Sequence, residues 1–304
     1  MYKEQVYKIR QLDKRQHEEG GHTEMTYKLL ALNIDGTILK SNSRVTKQTK
    51  EAIEYVKEKG VHVTLATSRP FPAAKKIAKS LKLEDCLITS DGAFIASEVD
   101  EPIFVRRIKE EKALQIADVL ERYECHIRVM HDHYSIGNKV KQRNHLIAKM
   151  TIGVGDPLFY PITFVDSICD QLMENPIAPP KIQVQFFNKE EERKAIQQLE
   201  TMVAGIRLFE SEKGRLEIVS AGVSKARGLQ TLGHYLGISS DQMVAIGSQD
   251  NDLDMISQVG LGVAMGNATN SVKEVADWVT RSNEQNGVAY MVREVFRKQL
   301  RLPL

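Results

Sequence analysis

The stretch Leu29–Leu39, LLALNIDGTIL, constrains this chain more than any other. Leu29 to Leu32 is an apolar run of strand length that stops at Asn33-Ile34-Asp35-Gly36-Thr37. Residues at i and i+2 of an extended segment point to one side, so Asn33 and Asp35 pair where the strand runs out. Gly36 then frees the backbone to turn. A polar pair is thereby placed at the carboxyl end of a strand, where open α/β sheets carry their chemistry. Taken alone, Asn and Asp before Gly also read as an ordinary turn.

The following segments favour the α/β reading. Residues 46–59 have an N-cap Thr, apolar positions at helical spacing and Gly60 as a stop. A strand is predicted over 61–66, a helix over 71–81 and a third strand over 86–89, leading into Ser90-Asp91-Gly92-Ala93. Such alternation predicts a doubly wound parallel sheet with right-handed crossovers. From about Glu101 the character changes. A helix is predicted over 109–123, strands over 126–131 and 181–187, a helix over 189–203 and a strand over 207–209, with looser stretches at 153–161 and 176–180. That mixture suits an α+β insert. The α/β pattern resumes with a helix over 224–236 and a strand over 243–247. A helix over 250–259, a strand over 261–265, a helix over 271–276, a short strand over 278–280 and a final helix from 287 to about 300 complete it.

Composition excludes several classes of function. A net charge of +2 supplies no electrostatic footprint for nucleic acid or an anionic membrane. The chain has no apolar run near the roughly 20 residues needed to span a bilayer. Three widely spaced cysteines, Cys86, Cys125 and Cys169, read as free thiols of a reducing compartment, so a cytoplasmic protein is expected. Residues 1–24 are charged and apolar-poor and read as a mobile extension or a weak surface helix, with Met25 equally an internal residue or an alternative start. His131 and His133 at i, i+2 hint at a metal site but fit a solvent-facing strand better. Met130, Met150 and Met173 read as packing residues.

Asn33-Ile34-Asp35-Gly36-Thr37 resembles the first motif, DxDGT, of the haloacid dehalogenase (HAD) superfamily. Thr67-Ser68-Arg69 resembles its Thr-Gly-Arg, Lys225 stands where the third motif has a lysine, and Gly247-Ser248-Gln249-Asp250-Asn251-Asp252-Leu253-Asp254-Met255 resembles its Gly-Asp-x-x-Asn-Asp-x-x-Met. The order of these motifs is similar to the Cof-type sugar-phosphate phosphatases over about residues 27–300.

The resemblance implies a core domain of residues 25–103 and 213–304, and a C2-type cap over 104–212 that selects the substrate. It implies a Mg²⁺-dependent phosphatase of small phosphorylated metabolites, with position 33 as nucleophile and Asp35 as acid/base. Thr67, Ser68, Lys225 and Asn251 would bind phosphate, and Arg69 would reach a substrate anion. The Asp35 backbone carbonyl, Asp252 and position 248 would hold the metal.

Two positions depart from that pattern. Asn33 keeps the shape of Asp but is neutral, a poor nucleophile and a weak Mg²⁺ ligand. Ser248 replaces a metal-binding Asp, with Asp250 and Asp254 as nearby carboxylates that could compensate. The expectation is an impaired phosphatase scaffold, with Mg²⁺ binding weak or lost, that acts as a phospho-ligand-binding or regulatory protein and leaves room for a protein partner. The alternative is an active Mg²⁺-dependent phosphomonoester hydrolase.

Overall fold

The computed structural model of the chain describes residues 26–140, 160–211 and 214–297. The predicted N-terminal extension, Met25, Met150 and most of the looser stretch 153–161 lie outside them. In chain order the elements begin with β1 (Leu29–Leu32), α1 (Lys47–Glu58), β2 (His62–Leu65), α2 (Phe71–Ser80), β3 (Leu87–Thr89), β4 (Phe94–Ala96) and β5 (Pro102–Val105). They continue with α3 (Glu110–Leu120), β6 (Cys125–Met130), β7 (Ser135–Asn138), β8 (Ile162–Val165), α4 (Ile168–Glu174), β9 (Lys181–Phe186), α5 (Lys189–Met202), β10 (Ile206–Ser211) and β11 (Arg215–Ser220). The last are α6 (Lys225–Leu236), β12 (Met243–Gly247), α7 (Leu253–Ser257), β13 (Leu261–Ala264), α8 (Asn270–Val275), β14 (Trp278–Val279) and α9 (Gly287–Phe296). Two compact units share them. One takes the chain through Thr67, Ala78–Ile88 and everything from Ser224; the other takes Ser68–Ile77 and Thr89–Val223.

The first unit is built on a five-stranded sheet in the order β14-β13-β12-β1-β2, with all of these neighbours parallel. Leu29, Leu30, Ala31 and Leu32 are all fully buried, as a central strand covered on both faces requires. Helices α1 and α9 pack together, burying Ala52, Ile53 and Val56 of one and Val288, Met291, Val292 and Phe296 of the other. The Thr46 hydroxyl accepts the Thr49 N–H, the cap expected from sequence.

The second unit holds a six-stranded sheet in the order β10-β11-β9-β6-β7-β8, antiparallel except for the parallel pair β7–β8. Alternate residues Ile127, Val129, Ile182, Val184, Leu216 and Ile218 pack into one apolar cluster with Ile116 and Leu120 of α3, Leu172 of α4 and Leu199 of α5. Strand alternation therefore turns His126, Arg128, Gln183 and Glu217 to the opposite face.

Several sequence expectations need correction. Between His131 and Lys181 the chain forms β7, β8 and α4 rather than a merely polar stretch. Ser135-Ile136-Gly137-Asn138 has little strand propensity and is held by pairing on both sides. The unexpected β11 pairs along β10 and draws that strand out beyond the predicted 207–209. The predicted helix 250–259 is a 3₁₀ turn, Asp250–Asp252, followed by the short α7. Met130 is buried as expected, but Met173 is 59% exposed.

Candidate functional site

The site of the first unit grows from two neighbouring parallel strands. Leu32 is in register with Ile246, so Asn33 emerges beside Gly247 and Ser248. Asn33 stays extended (φ −70°, ψ 157°), and its N–H donates to the Ile246 carbonyl at 3.0 Å. The chain then makes one wide turn, Ile34–Ile38, closed by the Leu39 N–H on the Ile34 carbonyl at 3.2 Å. Gly36 at φ +69° makes that turn feasible, and a Cβ there would sit 2.7 Å from the Ser248 hydroxyl. Gly36→Ala is expected to lower stability by about 1–2 kcal/mol, the cost of a left-handed residue plus the displaced serine, measured by urea unfolding.

Asp252 is the hub of the site and is fully buried. Its Oδ2 accepts the Ser248 N–H at 2.8 Å, the Gln249 N–H at 3.0 Å and the Asn33 amide nitrogen at 2.9 Å. Its Oδ1 accepts Lys225 Nζ at 2.7 Å. Gly247 lacks a Cβ where one would lie 2.5 Å from the Asp252 carboxylate, so the close approach of strand and side chain depends on it. Lys225 opens α6, where the helix dipole disfavours a cation. Its ammonium is compensated by Asp252, by Asn251 Oδ1 at 3.1 Å and by Asn33 Oδ1 at 3.5 Å.

The orientation of the Asn33 amide follows from its partners. Oδ1 accepts the Ile34 N–H at 2.7 Å and faces Lys225, while Nδ2 donates to Asp252 and, at 3.3 Å, to the Asp35 carbonyl. A flipped amide would set N–H against N–H and oxygen against carboxylate. The Ser248 hydroxyl also donates to the Asp35 carbonyl, at 3.3 Å. Hydrogen-bond donors thus occupy two oxygens, the Asp35 carbonyl and Asp252 Oδ2, that the family pattern would turn toward a metal.

Asn33, Asp35, Lys225, Ser248, Asn251 and Asp252 form one hydrogen-bonded cluster. Thr67 belongs to the same unit, fully buried, with its N–H on the Ile88 carbonyl at 2.9 Å. Ser68 and Arg69 start the second unit, where their carbonyls accept Lys181 Nζ and the Ser90 N–H, both at 2.9 Å. Ser68 keeps a non-positive φ, so replacing the family's Gly there brings no left-handed strain. Asp250 Oδ1 accepts the Thr269 and Ser271 hydroxyls at 2.7 and 2.5 Å. His131 stacks on Tyr134 and His133 pairs with Asp100, and no metal-binding group of three His, Cys, Asp or Glu side chains occurs among the described residues.

Sequence reasoning missed two members of the cluster. The Thr37 hydroxyl donates to Ser248 Oγ at 3.4 Å, and Asn267 Nδ2 donates to the Gly36 carbonyl at 2.9 Å. Thr37 was legible as part of the first motif. Asn267 follows β13 and carries no local signal for its partner 231 residues away.

The family model for haloacid dehalogenase-like hydrolases matches residues 30–292. The chain belongs to this family. The stress response protein YhaX of Bacillus subtilis is 48% identical to this HAD-like chain over 91% of it and 96% of the relative. A 5-amino-6-(5-phospho-D-ribitylamino)uracil phosphatase of the same organism, YitU, is 28% identical over 88% of the chain and 97% of the relative. Among solved structures, a haloacid dehalogenase-like hydrolase from Bacteroides thetaiotaomicron superposes with a TM-score of 0.77 at 25% identity, covering 89% of this chain and all of that one. The parallel sheet of the first unit is therefore a HAD-type sheet. No helix among the described residues is long and apolar enough to cross a membrane.

Proposed function

We propose that this HAD-like chain binds a small phosphorylated metabolite and hydrolyses it weakly or not at all. The observation that carries this reading is the Asn33 amide, which donates to Asp252 at 2.9 Å where the family motif has a nucleophilic carboxylate. An amide oxygen lacks the charge to attack phosphorus, and this one is engaged by the Ile34 N–H and faces Lys225. The residues do not fit the family's magnesium. That ion wants hard anionic oxygens in near-octahedral array, whereas here a neutral amide and a hydroxyl stand at two such positions. Magnesium binding is accordingly weak or lost, and no step is routed through it.

What remains is an anion receptor. Lys225 supplies charge and Asn251 and Thr67 supply polar contacts, beside the Ser248 and Gln249 N–H groups that Asp252 holds. Asp35 retains the position of an acid/base, which would support residual turnover. Ser68 and Arg69 would add contacts to substrate oxygens. In this reading residues 25–103 and 213–304 carry the chemistry, and 104–212 select the ligand. YitU is named for a phosphorylated ribitylamino-uracil, which supports a small phosphorylated metabolite as ligand class. The free thiols Cys86, Cys125 and Cys169 support a cytoplasmic setting.

The test follows the Ser248 and Gln249 amide signals by NMR during titration with inorganic phosphate in EDTA. Wild-type chain is expected to bind without metal, and Lys225→Ala to weaken binding at least tenfold, as loss of a buried cation facing an anion should. Equal affinity in the two proteins would overturn the reading.

A further inference from the structure

On the sheet face opposite the helices of the second unit, Arg128 is only 5% exposed. Buried guanidinium groups are ordinarily paired with carboxylates, because an uncompensated charge is costly away from water. Arg128 has no such partner among the described residues. Its Nε donates to the Ser135 hydroxyl at 2.9 Å, and its guanidinium carbon lies 5.3 Å from the centre of the Tyr160 ring. Carboxylates of the same unit are committed elsewhere: Glu217 to Lys181 at 2.6 Å, and Asp132 to Arg107. The strand partner opposite Arg128 is Gln183, which is neutral. Burial lowers the Arg128 pKa from its ordinary value, whereas a paired arginine would be pushed the other way.

The side chain is nevertheless held in one pose. Ser135 Oγ accepts from Arg128 and passes its own proton toward the Pro161 carbonyl at 3.4 Å. Tyr160 is fixed by its hydroxyl on the His131 carbonyl at 2.6 Å. One ring on the guanidinium face and one hydroxyl on Nε orient the group and leave the two terminal nitrogens as a fork. That fork matches a carboxylate or phosphate in bidentate geometry. A second polar atom nearby in sequence, His131 Nδ1, is buried without a hydrogen-bond partner.

We propose that Arg128 is a preformed receptor for a small oxyanion, a phosphate or carboxylate group. Ser135 and Tyr160 are its positioning residues. The full chain carrying Lys225→Ala, which removes the anion-binding lysine of the first unit, is titrated with inorganic phosphate and separately with malonate. The Arg128 Nε–Hε NMR signal and thermal stability are followed. At least one probe is expected to shift that signal saturably and to raise the melting temperature. Adding Arg128→Gln should abolish the rise, and Arg128→Lys, which keeps charge but not the fork, should weaken binding about tenfold. The anion-free Arg128→Gln protein should melt no lower than its parent, since it sheds an unpaired buried charge. Phosphate alone or malonate alone identifies which oxyanion the site takes. No response to either probe, or an undiminished response in Arg128→Gln, overturns the proposal. So does an anion-free melting temperature that drops in both Arg128 variants without any anion effect, which would make Arg128 a packing element. Failure of phosphate to bind the first unit leaves this outcome unaffected, because the Arg128 signal is read with Lys225 already removed.

Discussion

Asn33→Asp combined with Ser248→Asp is expected to release phosphate from a generic phosphomonoester in the presence of Mg²⁺, at least 10³-fold faster than wild type. The double change returns a nucleophile and two anionic metal ligands to a cluster that already holds Lys225, Asn251 and Asp252. Loss of a nucleophile typically costs roughly 10⁴–10⁶ in turnover, so its recovery has that range to work in. The single change Asn33→Asp has a different signature. It replaces the amide donor 2.9 Å from Asp252 Oδ2 with a second buried carboxylate. Two carboxylates so close cannot both stay charged without a cation, and Lys225 alone compensates one of them. Stability should fall by about 3–5 kcal/mol in EDTA, and Mg²⁺ should recover part of it. Wild-type stability should not respond to Mg²⁺, because the Asn33 amide already satisfies the oxygens the ion would take. Rapid turnover by wild type that Asp35→Ala abolishes would sink this account and restore the hydrolase reading. Intact-mass analysis of the wild-type sample excludes deamidated Asn33 as the source of any activity.

Lys181 should matter to stability about as much as Asn33 matters to turnover. Its Nζ, with three protons to give, donates to Asp91 at 2.7 Å, Glu217 at 2.6 Å and the Ser68 carbonyl at 2.9 Å. Asp91 sits in a turn where Ser90 and Asp91 both have positive φ, at 50° and 59°. Strain of this kind persists only where surroundings over-determine it, and Lys181 is one such surrounding. Lys181→Met leaves two buried carboxylates facing each other and should cost about 3–5 kcal/mol, or on the order of 10 °C in the transition that reports the second unit.

The same cluster sets a pH dependence. Two carboxylates share one ammonium, with Gln183 Nε2 a further neighbour at 3.5 Å. Burial, aided by the Asp91 charge, pushes the Glu217 carboxyl up to about 7 against the pull of Lys181. A folded-state pKa above the unfolded value means the folded chain holds the extra proton between pH 4.5 and about 7. Its stabilising contribution is therefore full below pH 4.5 and is lost as pH rises through about 7. The loss is on the order of 3 kcal/mol. Glu217→Gln should flatten this part of the stability profile, and an unchanged slope would show that Glu217 does not titrate there.

The sequence alone determined much of the first unit. A four-residue apolar run ending in a polar pair marks β1 as a buried parallel strand and Asn33 as its end. Local signals of this sort, such as the Thr46 cap and the spacing of α1, are written within a few residues of where they act. The same locality made the Asn33 and Ser248 departures readable, since each lies within a recognisable motif. Tertiary structure decided the rest. That the Asn33 amide meets Asp252, and that Ser248 donates to the Asp35 carbonyl, depends on β1 and β12 pairing across more than 200 residues of chain. Strand β7 has weak propensity of its own and exists because partners on each side complete its hydrogen bonds. Lys181 and Arg128 read as ordinary basic residues in sequence, and only the folded sheet separates them. One is saturated by two carboxylates and a carbonyl, while the other is buried with no carboxylate among the described residues, because charge compensation is fixed by three-dimensional neighbours rather than by spacing along the chain.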